Sequence, residues 1–118
     1  MAIWFEETGA KAWVSCPITE NGFVRILSNP SYPGLLTSVS AASALLKALR
    51  RHQGHEFWPD DYSIIDGTVD LNRTGGNRQI TDLYLLGLAA KRKAKLSSLD
   101  ARIPAHLVKG GPDAYEVI

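Results

Sequence analysis

The chain has 118 residues, 45% of them hydrophobic and 21% charged, with a formal net charge of +1. A chain of this length holds one hydrophobic core, so a single domain over residues 1–118 is expected, and the composition excludes disordered and fibrous classes. The near-zero charge neither demands nor excludes a nucleic-acid partner, because only a local basic face would matter.

The single cysteine, Cys16, has no second thiol to pair with, which fits a reducing compartment. No stretch reaches the roughly 18 apolar residues of a membrane span, and the start lacks a signal peptide's charged and long apolar regions. A cytoplasmic location without membrane contact is therefore expected.

In chain order, residues 2–7 carry Trp4 and Phe5 on an apolar side before Gly9, as the tail of a helix does. Residues 12–16, with Trp13 and Val14, form a short β-prone run ended by Pro17. Thr19 then offers a helix N-cap, with Phe23, Val24 and Leu27 at helical spacing, and the prolines of SNPSYPGL make a loop. Residues 40–52, AASALLKALRRH in most of their length, predict a helix that is basic in its last turn.

A short strand is expected over residues 56–58 before Pro59, and a brief turn or helix over residues 62–65. The Gly-rich NRTGGN leads into a second strong helix over residues 81–93, acidic at its start through Asp82 and basic at its end. A compact strand over residues 94–99 precedes Asp100, and residues 115–118 read as an edge strand. Strands alternating with helices predict an α/β domain with a largely parallel sheet, whose ligands gather beyond the carboxyl ends of the strands.

Three acids fall at such positions: Glu20 after the first strand, Asp82 opening a helix, and Asp100 after a later strand. Carboxylates from separate elements that converge at one sheet edge suit a hard cation such as Mg²⁺, which takes oxygen ligands and keeps several waters. Each acid alone has a structural alternative: Glu20 and Asp82 as partners of a helix dipole, Asp100 as an N-cap for a helix over residues 101–107. His52, His55 and Glu56 are spaced loosely like zinc ligands, but His52 lies in a basic helix tail and no cysteines accompany them. The loop around Gly75 and Gly76 lacks a P-loop pattern, leaving an anion- or nucleotide-binding module as a weak reading. Arg73, Arg78 and the Lys91 to Lys95 cluster are candidates to meet an anion, and Arg25 a candidate for a phosphate contact or an acid partner.

Four stretches, WFEE, CPITENGFVRILSNP, HEFWPDD and GNRQITDLYLLGLAAKRKAKLSSLD, resemble PIN-domain ribonucleases, specifically the VapC-type toxins of bacterial toxin–antitoxin pairs. The likeness runs from Trp4 to Asp100, and TDLYLLGLA followed by LSSLD is its most specific part. It implies a PIN-like parallel sheet flanked by helices. It further implies that Glu20, Asp82 and Asp100 are catalytic metal ligands or carboxylates just behind them, with Ser98 a hydroxyl donor nearby. The implied activity is Mg²⁺- or Mn²⁺-dependent endonucleolytic cleavage of RNA, held in check by a cognate antitoxin. Three acids so close would repel one another, so the metal-free site is expected to take up protons or lose order.

The likeness also implies an earlier central strand bearing an Asp, which nothing before Met1 supplies. The expectation is then either a late start or a sheet that closes by association, making a homodimer the expected assembly. The alternative function is a catalytically incomplete remnant that binds an antitoxin or another protein.

Overall fold

A computed structural model of the chain describes residues 12–31, 38–98 and 100–118. The chain forms two compact units, Met1–Asp60 and Asp61–Ile118. The expected helix tail at residues 2–7 and the second half of the proline loop lie outside the described residues, as does Leu99.

In the first unit, strand β1 (Trp13–Ser15) runs straight into helix α1 (Pro17–Leu27). Pro17 suits the first helical position, where its fixed φ fits and its missing N–H has no partner to lose. That choice moves the N-cap from Thr19, where it was expected, to Cys16. Thr19 does its capping from inside the helix: its hydroxyl accepts the Cys16 N–H at 2.9 Å and donates to the Cys16 carbonyl at 3.0 Å. Glu20 then makes the first helical bond, its N–H reaching the Cys16 carbonyl at 2.9 Å.

Helix α2 (Val39–Arg50) starts earlier than its Ala-rich core suggests, because Ser38 caps it by accepting the Ala41 N–H at 3.0 Å. It packs on α1. The chain returns as β2 (His55–Phe57), parallel to β1, in the register Trp13 to His55, Val14 to Glu56 and Ser15 to Phe57. Side chains alternate along a strand, so Trp13, Ser15, His55 and Phe57 share one face and Val14 and Glu56 the other.

In the second unit, helix α3 (Ile80–Lys91) follows a 3₁₀ turn at Asn77–Gln79 and buries Leu83, Leu86, Gly87, Leu88 and Ala89. It stops before the expected Lys93, which has φ 56°, the left-handed conformation that ends a helix. The bonds Lys93 N–H to Ala90 O at 3.1 Å and Ala94 N–H to Ala89 O at 2.9 Å complete a Schellman motif. Strand β3 (Leu96–Ser98) pairs in parallel with β4 (Tyr115–Val117), Leu96 facing Tyr115.

The crossover between them holds no helix over residues 101–107. Pro104 disfavours helical backbone at Ile103, and the segment instead makes a turn, then a 3₁₀ turn at Ala105–Leu107 and the four-residue helix α4 (Gly111–Ala114). Val69, Leu83, Leu86, Ile103, Ala105, Val108 and Ala114 close the core of this unit, with Leu96 and Tyr115 packed against it. Parallel pairing with flanking helices, as expected for an α/β chain, holds within each unit. No helix among the described residues is long and apolar enough to cross a membrane.

Candidate active site

Glu20 sits one turn into α1, where the helix brings its side chain back over the end of β1. Its Oε2 accepts the Ser15 hydroxyl at 2.6 Å, and its Oε1 meets Arg50 Nη1 at 3.3 Å. Ser15 is 5% exposed, so this is a partly buried bond from a hydroxyl to a carboxylate. A hydroxyl has one proton, and a carboxylate only accepts. With its proton on Glu20, Ser15 must receive the Nε2–H of His55, 2.7 Å away. A row His55, Ser15, Glu20 results, with Trp13 against the imidazole at 4.4 Å between ring centroids.

Arg50 lies over the Phe57 ring at 4.9 Å while it faces Glu20. The cation that Glu20 meets is thus Arg50 of α2 rather than Arg25 of its own helix. Burial, and then the Arg50 charge, lower the His55 pKa, with Glu20 and Glu56 opposing them.

Asp82 and Asp100 come together in the second unit. Asp82 is the third residue of α3, and Asp100 lies just past β3. Asp100 Oδ1 accepts the Arg102 backbone N–H at 2.8 Å and Arg102 Nε at 3.2 Å, a side-chain-closed turn rather than the cap of a helix. Those bonds from Arg102 hold the Asp100 carboxyl below its ordinary range. Ser98, taken as a hydroxyl donor in the sequence reading, accepts the Asp100 N–H at 3.0 Å, and the Tyr115 hydroxyl donates to the Asp100 carbonyl.

Asp82 shifts the other way. Burial raises its pKa first and the Asp100 charge adds to this, although a carboxylate in the first turn of a helix is normally favoured by the dipole. Of the two acids, Asp82 is thus the one whose ionised form the fold disfavours. Two carboxylates whose charges oppose each other form an all-oxygen donor pair, the kind that Mg²⁺ or Mn²⁺ takes and whose repulsion a cation relieves. Glu20 belongs to the first unit. Within neither unit do three or more His, Cys, Asp or Glu side chains come together for a metal among the described residues.

The acids stand out in the sequence, whereas His55 there shows only the loose zinc-like spacing it shares with His52 and Glu56. Its signal was present: a histidine opening a strand that pairs with a strand ending in Ser15, five residues before Glu20. That signal becomes legible only once the two strands are known to be parallel and in register. The loop before α3 forms an open concavity of about 370 Å³ lined by Gly75, Gly76, Asn77, Arg78 and Gln79.

No family model and no solved structure matches the chain. Curated proteins of Mycobacterium tuberculosis do. Ribonuclease VapC39 is 39% identical over 101 residues, 85% of this chain and 73% of the relative. Ribonuclease VapC38 is 40% identical over 100 residues, 85% of this chain and 70% of the relative. Ribonuclease VapC44 is 39% identical over 108 residues, covering 91% and 75%. Identity at this level over most of the chain shows that the chain belongs to the VapC ribonuclease family.

Proposed function

We propose that the chain is a metal-dependent endoribonuclease, the toxin of a cytoplasmic toxin–antitoxin pair, with Mg²⁺ or Mn²⁺ as cofactor. The observation that carries this reading is Asp82, in the first turn of α3, whose charge is penalised by burial and by Asp100 just past β3. Such a charge is costly to a fold and is kept where chemistry uses it. Glu20 is proposed as the third ligand and Ser98 as the hydroxyl that holds the Asp100 turn beside the RNA.

A divalent cation, when bound, polarises the scissile phosphate and lowers the pKa of a bound water so that hydroxide is available at neutral pH. The chain's own residues do the remaining work. Asp82 and Asp100 supply the anionic oxygens, and Arg102 holds Asp100 in its turn through two bonds to Oδ1. Arg78, lining the concavity ahead of α3, faces the approaching RNA backbone in this reading. An antitoxin segment and a homodimeric assembly complete the proposal.

The test is incubation of the purified chain with structured RNAs in Mg²⁺ or Mn²⁺ and in chelator. Cleavage that needs the metal and is lost in Asp82→Asn and Asp100→Asn is expected. Metal-independent cleavage, or cleavage that survives both substitutions, refutes the assignment.

A further inference from the structure

We infer that His55 is a positioning residue for Glu20, acting through the Ser15 hydroxyl. The inference rests on the proposed reading of Glu20 as a metal ligand and adds two residues to it. The geometry is directional. Ser15 Oγ has a single proton and gives it to Glu20 Oε2 at 2.6 Å, so the imidazole 2.7 Å away must present Nε2–H. The row therefore runs one way, His55 donating to Ser15 and Ser15 donating to Glu20.

Each member is held from outside the row. Ser15 is almost wholly buried, and the β1–β2 register places it on the same face as His55. Trp13 packs on the imidazole at 52° to its plane and limits its rotation. Glu20 is anchored by the first turn of α1, and its side chain is only 15% exposed. Of the carboxylate's two oxygens, Oε2 is bound inward by Ser15, while Oε1 points to Arg50, whose side chain is 42% exposed.

An exposed ion pair contributes little and gives way readily, whereas a partly buried bond from a hydroxyl to a carboxylate does not. A cation held by Glu20 would take the place of Arg50 at Oε1, with the Ser15 bond keeping the carboxylate from turning. Arg50 has a second contact besides Glu20, the Phe57 ring at 4.9 Å. Groups behind a metal ligand that fix its orientation are commonly worth tenfold or more in affinity.

A role confined to tying α1 to the strand pair would show in stability alone. The experiment therefore measures Mn²⁺ affinity by calorimetry at a temperature well below the unfolding transition, alongside RNA cleavage. Ser15→Ala and His55→Ala are each expected to weaken Mn²⁺ binding roughly tenfold. Their double variant should be no weaker than either single one, because both break the same row. His55→Gln, which sets an amide N–H close to where the ring Nε2 stands, should restore affinity to within about threefold.

The drop in cleavage should lie in kcat, with KM for RNA unchanged. Where His55→Ala fails to fold, the comparison of His55→Gln with His55→Asn, whose amide stops short of Ser15, reads the same contrast. Wild-type Mn²⁺ binding and cleavage with unchanged affinity in both Ser15→Ala and His55→Asn would overturn the inference and leave the nuclease reading standing. A wild-type chain that neither binds Mn²⁺ nor cleaves RNA overturns both.

Discussion

Gly87→Ala tests what holds α3, the helix that presents Asp82. Gly87 lies in the buried stretch of that helix, where alanine has the better intrinsic propensity by about 1 kcal/mol. Propensity alone predicts stabilisation. The structure predicts the reverse, because a Cβ at this position would run into the Tyr62 hydroxyl and stand 2.9 Å from Tyr62 Cζ.

Tyr62 has little room to retreat. Its ring stacks on Tyr84 at 4.7 Å and 12°, its hydroxyl donates to the Tyr84 carbonyl at 2.7 Å, and Lys91 lies 5.8 Å from its centroid. Displacing it loses a hydrogen bond of about 1 kcal/mol and an aromatic pair of roughly the same worth. Overpacking adds about 1 kcal/mol at the low end of its range. Against the propensity gain the net is a loss of about 2 kcal/mol, read as a lower urea midpoint at unchanged m-value. In a Tyr62→Ala background the obstacle is gone and Gly87→Ala should turn stabilising by about 1 kcal/mol. Equal or greater stability of Gly87→Ala in the wild-type background would refute the argument.

Leu83→Ala and Leu86→Ala each remove a side chain with 0% exposure from the core of the second unit and should cost 2–5 kcal/mol, roughly, in urea unfolding. Lys93→Gly relieves a left-handed residue at the end of α3 and should stabilise by about 1 kcal/mol in thermal unfolding. Asp82→Asn should abolish metal-dependent cleavage yet change the pH profile of stability in chelator. Because burial and Asp100 raise the Asp82 pKa above 3.8, the folded state holds this proton more tightly than the unfolded one. Wild-type stability therefore drops as pH rises from 3.8 through the folded pKa, and Asp82→Asn removes that drop. Asp100→Asn keeps an acceptor for the Arg102 N–H but removes the opposing charge, so an NMR titration should find Asp82 lower than in wild type and still above 3.8.

Elements whose signals are local were legible in the sequence. The apolar run ended by Pro17, the Ala-rich helix with Ser38 before it, and the Asp82 helix with its basic end each carry their own punctuation, and the structure places each within a few residues of the expected bounds. Where ends were misplaced, the deciding interaction was one that composition hides. Thr19 has the chemistry of an N-cap, but Pro17 two residues earlier takes the first helical position. Lys93 ends α3 without the glycine that usually marks such a stop. Pro104 splits what looked like a helix over residues 101–107 into a turn and a 3₁₀ segment.

The site divides along the same line. The acids stood out because charged residues at strand and helix ends are visible one at a time. The contacts that set their behaviour were not, since they join residues 30 and 40 positions apart, Arg50 to Glu20 and His55 to Ser15. Such contacts depend on the register of a parallel pair, which no local pattern encodes.

Asp82 and Asp100 also show why identity of charge does not mean identity of role. Asp100 closes a turn on the Arg102 backbone, so donors already stabilise its ionised form and its pKa is lowered. When two carboxylates interact, the one that ionises first places the repulsion on the other, which here is Asp82, already penalised by burial. The turn after β3 thus sets the direction of the asymmetry between the two acids, Asp100 lowered and Asp82 raised. It follows that the two acids differ in what they cost the fold. Asp100 is compatible with its surroundings when charged. At Asp82 burial and the Asp100 charge both disfavour ionisation, and that penalty sits next to Leu83, which with Leu86 is among the large side chains fully buried in this unit. A core able to bear that penalty holds in place a carboxylate whose ionised form a cation would favour, which is the electrostatic condition the proposed metal-dependent cleavage calls for.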